Sequence, residues 1–287
     1  IVACLVGSEM CIRDRHNQCP RDLSDPTTSF QTLFCIEVNV MATESDFTLA
    51  RESATLAGQL LLLLRDTAKS SSITPGALGK IADERSHELL YKIISDVFPD
   101  DAILSEEQED NLERLGSDRV WIIDPLDGTK EFEETGRTDW AVHVALTESG
   151  IPTAGAVAIP SIGTTFCSND KRTVDKEIRE VRVICSRTRP GPAAQIIAEK
   201  LSGRIMRLGS AGAKAMAVVS GDAEIYVHTG GQYEWDSCAP VAVSLASGLH
   251  ASRLDGSPLI YNQSDTYVPD LLICRKELAD SALAVFN

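Results

Sequence analysis

The amino-acid sequence predicts an α/β protein in which helices and sheets are layered against one another. Apolar residues recur with helical spacing near the beginning, from Asp46 to Leu64 and again from Asp83 to Phe98. Short apolar runs that end in polar turns follow, as in buried strands. Two later segments, 211–220 and 239–247, are predicted to be helices rich in small residues. No internal repeat interrupts this alternation.

The order of elements follows from these patterns. The first helix is expected from Asp46, and Gly76 and Gly79 predict a loop after it. The second helix is expected from about Asp83 to Phe98, since Pro99 cannot continue it. Strands are then predicted over 120–124, 140–148, 153–160, 181–186 and 224–228, with a turn at 149–150. The polar segment 169–177 indicates a division into an α+β part, 41–175, and an α/β part, 176–287.

Residues 1–40 fit this organisation poorly. They have no clear periodicity, and the stretch from Cys4 to Arg15 resembles translated sequencing-adapter artefacts. We therefore expect a non-native or disordered extension, with the native protein beginning at Met41. A genuine N-terminal extension is the alternative.

Composition narrows the class of partner. The formal net charge is −15 at pH 7, which argues against non-specific binding to nucleic acid or to an anionic membrane. There is no apolar run of about 18 residues that would predict a transmembrane helix. The eight cysteines have no zinc-site spacing, so buried free thiols in a reducing cytoplasm are expected.

The strongest chemical signal lies between Trp121 and Lys130. An apolar strand is followed by Asp124 and Asp127, and then by Gly128 and Thr129. Mg²⁺ prefers oxygen ligands and commonly takes one or two carboxylates together with substrate phosphate oxygens. The carbonyl of Leu126 could add a backbone oxygen. A solvated Asp-Gly turn after a strand is the alternative interpretation.

Three further acidic positions follow or begin apolar elements. Glu106 and Glu107 come after the apolar run that ends at Leu104, and Asp236 precedes a helix rich in small residues. Asp83 lies near the predicted start of the second helix. Separately, these are also explained by surface glutamates or by helix N-caps. If they converge, their mutual repulsion requires a cation, and a metal-activated water is then the simplest chemistry.

In this order, the motifs resemble those of the inositol monophosphatase superfamily of lithium-sensitive, magnesium-dependent phosphatases. The resemblance runs from about Asp46 to Leu283 and implies a layered αβαβα sandwich, with a metal-binding first part and a substrate-binding second part. The extension from Lys130 to Phe132 resembles the CysQ-type branch, the 3′(2′),5′-bisphosphate nucleotidases, as do the segments 210–214 and 253–257.

The resemblance implies roles for particular residues. It places two or three Mg²⁺ ions on Glu106, Asp124, Asp127, Asp236 and the Leu126 carbonyl. Glu106 and Thr129 would orient and help to deprotonate water, with Asp83 beside them holding water or a further metal. Gly128 and Thr129 would bind the scissile phosphate, Lys214 the second phosphate or ribose, and Ser186 and Ser210 the nucleotide. His228 is a candidate to line the pocket, whereas the other histidines are expected to be structural or exposed.

The expected reaction is hydrolysis of the 3′-phosphate of adenosine 3′,5′-bisphosphate to AMP, in cytoplasmic sulfate assimilation and in a possible homodimer. The corresponding 5′-phosphosulfate is a further possible substrate. Inositol monophosphate and fructose 1,6-bisphosphate are the alternative substrates, and a non-catalytic metal-binding regulator is the alternative class. Three departures from the branch bear on substrate: Arg187 after Ser186, the longer spacing from Ser210 to Lys214, and the pair Asp139-Trp140. A haloacid-dehalogenase-like phosphatase is disfavoured, because it needs Asp-x-Asp and this chain has Asp-x-x-Asp.

Overall fold

The computed structural model describes residues 2–6, 9–13, 42–172, 174 and 177–286. Residues 1–41 and the residues from Ala42 onward form separate compact units. In the first unit, β1 (Val2–Val6) pairs antiparallel with β2 (Glu9–Arg13). The expectation of a non-native or disordered extension over 1–40 stays a prediction, and most of that segment lies outside the described residues.

The larger unit begins with two long helices and a five-stranded sheet. The helices are α1 (Glu44–Ala68) and α2 (Pro75–Val97). The strands are β3 (Ala102–Ser105), β4 (Arg119–Asp127), β5 (Ala141–Glu148), β6 (Ile151–Ile159) and β7 (Thr164–Cys167), and the short helix α3 (Thr129–Glu133) follows β4. The strands lie in sequence order, with β3 parallel to β4 and the other pairs antiparallel. We call this the first sheet.

A second five-stranded sheet, in the order β11-β12-β10-β8-β9, follows along the chain. Its strands are β8 (Arg182–Ser186), β9 (Arg204–Leu208), β10 (Ile225–Tyr233), β11 (His250–Ser252) and β12 (Tyr267–Cys274). The helices of this half are α4 (Pro192–Lys200), α5 (Ala211–Val219), α6 (Glu234–Ala246) and α7 (Ala279–Leu283). Short 3₁₀ helices span Glu113–Gly116, Pro160–Ile162 and Lys276–Leu278.

The elements stack in five layers. Helices α1 and α2 cover one face of the first sheet, α5 and α6 lie between the two sheets, and α4 covers the outer face of the second. Small residues allow the central layer to approach closely: a Cβ added to Gly155 on β6 would lie 2.7 Å from the Cβ of Ala242 on α6. The expectation of a layered αβαβα sandwich is confirmed.

The second helix differs from its prediction. Gly76 and Gly79 lie inside α2 and not in a loop, because Thr74 and Pro75 start the helix earlier. Thr74 Oγ1 accepts a hydrogen bond from the Ala77 amide at 3.4 Å, and proline suits the first helical turn. Asp83 therefore lies well inside α2, and the interpretation of Asp83 as a helix cap is wrong.

Two other boundaries change the position of acidic residues. Strand β4 continues beyond the predicted 120–124 as far as Asp127, so both motif aspartates belong to it. Helix α6 begins at Glu234 and not near Ala239, which places Asp236 in its first turn and not before it. The predicted turn between β5 and β6 is confirmed, with Ser149 and Gly150 at φ values of 51° and 79°.

Cys167, Cys185, Cys238 and Cys274 are buried free thiols, as expected for these four. The other four cysteines lie in the segment whose side chains are outside the described residues. Among the helices of the described residues, none combines the length and apolar character needed to cross a membrane.

Candidate active site

A pocket of about 600 Å³ opens between the two sheets, where β4, β8 and β10 end. Its lining includes most of the residues singled out from the sequence. These are Glu106, Asp127, Gly128, Thr129, Ser186, Ser210, Lys214, His228 and Asp236. The expectation that His228 lines the pocket is therefore confirmed. Asp83, Asp124 and Leu126 lie next to this lining, as their contacts show.

Asp124, Asp127 and Asp236 form a three-carboxylate cluster, with one oxygen of each within 4.8 Å of the others. Asp124 and Asp127 are three residues apart, and in a regular strand such residues point to opposite faces. The pairing of β4 with β5 shifts register between them, and a bulge of this kind redirects a side chain. The Leu126 amide, inside this irregular stretch, donates to Asp124 Oδ1 at 3.1 Å.

Asp127 is held by the first turn of α5. The amides of Ala211 and Gly212 donate to its two carboxylate oxygens at 3.1 and 2.6 Å. Burial alone would raise the pKa of Asp127, but His143, Lys214 and the Gly212 amide outweigh it, so the pKa is lowered. Asp127 is therefore an ionised and fixed carboxylate. The α5 amides that could have bound an external anion are already occupied by it.

His143 was not predicted to belong to the site. It is fully buried, with Nε2 3.1 Å from Asp127 Oδ2 and Nδ1 4.0 Å from Asp124 Oδ2. Nδ1 also lies 3.0 Å from the Trp235 carbonyl, beside Asp236. Burial would lower the pKa of His143, but the attraction of Asp127 raises it. The available signal was strand pairing, because His143 on β5 lies directly opposite Asp124 on β4.

Glu106 and Asp236 complete the acidic wall. Asp236 Oδ2 accepts a hydrogen bond from the Tyr233 amide at 2.7 Å, which fixes the carboxylate at the start of α6. Burial, together with repulsion from Asp127, raises the pKa of Asp236 to about 6. Glu106 retains surface open to the pocket, yet protein atoms crowd its carboxyl. That desolvation, with repulsion from Asp236 and Glu107, raises its pKa to about 7.

Asp83 and Thr129 meet beside the cluster. Thr129 Oγ1 lies 3.4 Å from Asp83 Oδ2 and 3.3 Å from the Leu126 carbonyl oxygen, so it can donate to either. Burial and repulsion by Glu107 and then Glu106 raise the pKa of Asp83 to about 8. Glu107, the neighbour of Glu106 in the sequence, thus affects the pKa of Asp83.

The donor chemistry of this wall fits hard divalent cations. The three clustered ligands are carboxylates, with the Leu126 carbonyl and two more carboxyls nearby. Burial and mutual repulsion raise the pKa of Asp124 well above its usual value. Several neighbouring carboxyls have raised pKa values, because the protein supplies too few positive groups to balance their negative charge. Bound cations would supply the balancing charge. Mg²⁺ prefers oxygen ligands of this kind.

Ser210 and Lys214 lie at the start of α5. Ser210 is the N-cap of the helix, and its Oγ accepts from the Ala213 amide at 2.9 Å. Lys214 is buried, and its Nζ donates to the carbonyls of Gly209 and Ser210 at 2.5 and 2.6 Å. Two of its three protons are thus used within the protein. Burial lowers the pKa of Lys214, although Asp127 opposes this effect.

Ser186 and His228 belong to the opposite wall. Ser186 Oγ accepts from the Arg189 amide at 3.2 Å, which folds the chain after β8 back towards the strand. His228 Nε2 lies 2.8 Å from the Gly230 carbonyl. Burial and the charge of Lys214 lower the pKa of His228 to about 4, so the ring is neutral at pH 7. Among the described residues, no carboxylate lines this wall.

The sequence departures have structural partners. Arg187 Nε and Nη2 both donate to Glu131 Oε1, at 3.0 and 2.7 Å. This pair ties the end of β8 to α3. Asp139 Oδ2 accepts from the Gly209 amide at 2.6 Å, next to Ser210. Both departures therefore hold the pocket walls together.

The position of Gly128 has no room for a side chain. It adopts φ = +88°, and an added Cβ would lie 2.9 Å from Ser210 Cβ and 3.3 Å from Glu131 Oε2. Glycine therefore lets β4 turn into α3 directly beside the first turn of α5.

Comparison with known proteins adds an independent line of evidence. A model of the inositol monophosphatase family matches residues 43–286. The chain is 50% identical over 232 residues to the 3′-phosphoadenosine 5′-phosphate phosphatase of Mycobacterium bovis, covering 78% of this chain and 86% of that protein. It is 47% identical over 256 residues to the enzyme of the same name from Mycobacterium leprae, covering 85% and 94%.

The fold is also shared with solved structures. CysQ from Bacteroides thetaiotaomicron, described as a bacterial member of the same family, superposes with a TM-score of 0.71 at 24% identity. The match covers 81% of this chain and 97% of that one. At this identity the likeness shows the fold alone.

Proposed function

This chain belongs to the inositol monophosphatase family, and we propose that it is a Mg²⁺-dependent phosphatase that hydrolyses the 3′-phosphate of adenosine 3′,5′-bisphosphate. The observation that carries the proposal is the three-carboxylate cluster of Asp124, Asp127 and Asp236 beside an open pocket. The mycobacterial relatives, named as phosphatases of this nucleotide, support the substrate.

Glu106, Asp124, Asp127, Asp236 and the Leu126 carbonyl would hold two or three Mg²⁺ ions. When bound, these ions would neutralise phosphate oxygens and lower the pKa of water. Asp127 and Asp236 are oriented in advance by backbone amides. Rigid ligands of this kind reduce the reorganisation needed as charge develops in the transition state.

Thr129 and Glu106 would position and deprotonate the attacking water. The Thr129 hydroxyl can donate to Asp83 or to the Leu126 carbonyl, which leaves its oxygen free to accept a hydrogen bond from water. Glu106, whose carboxyl is partly open to the pocket, would accept a proton from that water. Asp83 would hold the Thr129 hydroxyl and a further water or ion. Gly128 and Thr129 would bind the scissile phosphate, while Lys214, Ser210 and Ser186 would face the nucleotide.

Further parts of the proposal concern biological setting. We propose a cytoplasmic role in sulfate assimilation, where the corresponding 5′-phosphosulfate is a second candidate substrate, and a possible homodimer. The four buried free thiols support a reducing compartment. Inhibition by lithium is expected from the family resemblance.

The test is phosphate release with Mg²⁺ from adenosine 3′,5′-bisphosphate, inositol 1-phosphate and fructose 1,6-bisphosphate under one condition. We expect at least a tenfold preference in kcat/KM for the nucleotide, about 1.4 kcal/mol in the transition state. A flat or reversed order would keep the metal chemistry but assign the chain to inositol or sugar phosphates. No release from any of the three would contradict the proposed function.

A further inference from the structure

Three cationic side chains line the pocket: Lys130, Arg189 and Lys214. A doubly phosphorylated substrate brings a second phosphate that is not at the carboxylate cluster. The chain is strongly acidic, and four carboxylates line the same pocket: Glu106, Asp127, Glu131 and Asp236. The second phosphate therefore needs a cation that lies away from these acids and still has free donors.

Lys214 and Lys130 meet this need poorly. Lys214 is buried and already donates to two backbone carbonyls. Two of its three ammonium protons are used in these two bonds. Lys130 lies on α3 between Thr129 and Glu131, on the wall that the first sheet builds. A phosphate bound there lies on the acidic side of the pocket.

Arg189 lies on the other wall, in the segment between β8 and α4. This wall is formed by Ser186, Thr188, Arg189, His228 and Gln232, and carries no carboxylate. Arg189 is exposed, and within the described residues no carboxylate pairs with its guanidinium. Most of its five N–H donors are therefore available to a ligand.

Arg189 makes one hydrogen bond through its backbone amide and one through its guanidinium. The Arg189 amide donates to Ser186 Oγ at 3.2 Å, and its Nη1 donates to the Gly231 carbonyl at 3.4 Å. Gly231 adopts φ = +80°, and an added Cβ would lie 2.5 Å from Nη1. Glycine at this position thus lets the arginine lie directly on the backbone at the mouth of the pocket. The guanidinium of an arginine can bind phosphate through two parallel N–H bonds.

We infer that Arg189 binds the non-scissile phosphate and so selects bisphosphate over monophosphate nucleotides. The inference rests on the proposed function and adds a specificity residue to it. The two walls of the pocket then bind different groups. The acidic wall, through its metal ions, binds the scissile phosphate, and the wall that carries Arg189 binds the non-scissile phosphate.

The test compares two substrates that differ only in the second phosphate. We would measure kcat/KM for adenosine 3′,5′-bisphosphate and adenosine 3′-monophosphate with the unaltered chain, Arg189→Gln, Arg189→Lys and Lys130→Gln. Lys200→Gln is the matched control, because it removes one exposed positive charge from the end of nearby α4, outside the pocket.

For Arg189→Gln we expect a loss of about tenfold or more on the bisphosphate, equivalent to about 1.4 kcal/mol, and an unchanged rate on the monophosphate. Arg189→Lys should lose less, because it keeps the charge but not the paired donors. Equal losses on both substrates, no loss on the bisphosphate, or a selective loss in Lys130→Gln instead would each overturn the inference. If the unaltered chain hydrolyses the bisphosphate but all variants behave alike, the inference fails and the proposed function stands. If it hydrolyses neither nucleotide, both fail.

Discussion

The two walls of the pocket are built differently. The acidic wall carries four carboxylates that lie at the ends of β3 and β4 and in the first turn of α6. These are Glu106, Asp124, Asp127 and Asp236. The opposite wall is made of neutral and basic side chains, and part of it is held by local hydrogen bonds, such as that from the Arg189 amide to Ser186 Oγ. The first wall is suited to bind cations, and the second is suited to recognise what is attached to the phosphate. If the proposed function is correct, reaction type and substrate choice reside in separate parts of one pocket.

Replacing an aspartate of the three-carboxylate cluster should lower activity more than any other change. Asp124→Asn or Asp127→Asn should lower kcat/KM by roughly 10³-fold or more, on the order of 4 kcal/mol, because each removes a charged ligand from the cluster. Phosphate release and thermal unfolding would be measured together. Asp96→Asn is the control, since Asp96 is on α2 and pairs only at the surface with Lys92. Near-normal turnover in a folded Asp124→Asn variant would refute the metal assignment.

The next effect concerns pH and metal. Asp236, Glu106 and Asp83 have pKa values raised to about 6, 7 and 8 from ordinary values of 3.8 to 4.5. Between these limits the folded metal-free chain binds more protons than the unfolded chain. Its stability should therefore fall as pH rises from about 4.5 towards 8, the sign that raised carboxyl pKa values require.

Added Mg²⁺ should offset this loss, and more so at pH 8 than at pH 5, because the ligands are then ionised. The measurement is the unfolding midpoint with and without Mg²⁺ at both pH values, where each kcal/mol corresponds to roughly 2–4 °C. An Mg²⁺ effect that is equal at both pH values, or larger at pH 5, would count against these carboxyls as the ligands.

Some features of the acidic wall were predictable from the sequence, and others were not. That Asp124 and Asp127 belong to one acidic cluster was predictable, because both lie in one local motif at the end of an apolar run. Their common orientation was not, since it depends on the register shift in β4. Asp83 was placed near a helix start because Gly76 and Gly79 suggested a loop, whereas the cap at Thr74 extends the helix. The layered fold was predictable from the family resemblance, and the pattern of elements alone only allowed it.

His143, Arg187 and Arg189 could not be assigned from the sequence for a different reason. Each acts through a partner far along the chain: His143 with Asp127, Arg187 with Glu131, and Arg189 with Gly231. Pairings of this kind follow from tertiary packing. Local spacing carries no signal for them.

A smaller effect tests the link between the walls. Arg187→Met leaves the buried Glu131 carboxylate without its ion-pair donor from β8. We expect a fall in the free energy of unfolding, because a buried carboxylate loses a charged donor. Arg187 is about 30% exposed, so solvent screening keeps this fall small. Glu131→Gln with Arg187→Met in a double-mutant cycle would measure the pairwise energy, and a coupling of zero would show that the pair does not join the walls.

A substitution on α2 tests the role of Thr129, and we expect the smallest change in activity from it. In Gly79→Ala, the new Cβ would lie 2.8 Å from Thr129 Cγ2 and 2.3 Å from Glu133 Oε1, so Thr129 must shift. We expect a fall in kcat of severalfold, roughly 1 kcal/mol, with little change in Mg²⁺ affinity. Gly76→Ala is a matched control on the same helix, because its nearest neighbour would be 3.9 Å away. That variant should gain roughly 0.5–1 kcal/mol of stability from helix propensity and keep its activity. Equal activity in the two variants would contradict the role of Thr129.

The most direct measurement of the central claim is product analysis of adenosine 3′,5′-bisphosphate turnover, with Mg²⁺ present, after chelation, and after Mg²⁺ is restored. We predict adenosine 5′-monophosphate and phosphate as the products, no turnover after chelation, and recovery when Mg²⁺ returns. Turnover that persists in chelator would contradict a metal site at Asp124, Asp127 and Asp236, and adenosine 3′-monophosphate as the product would contradict the proposed orientation of the substrate.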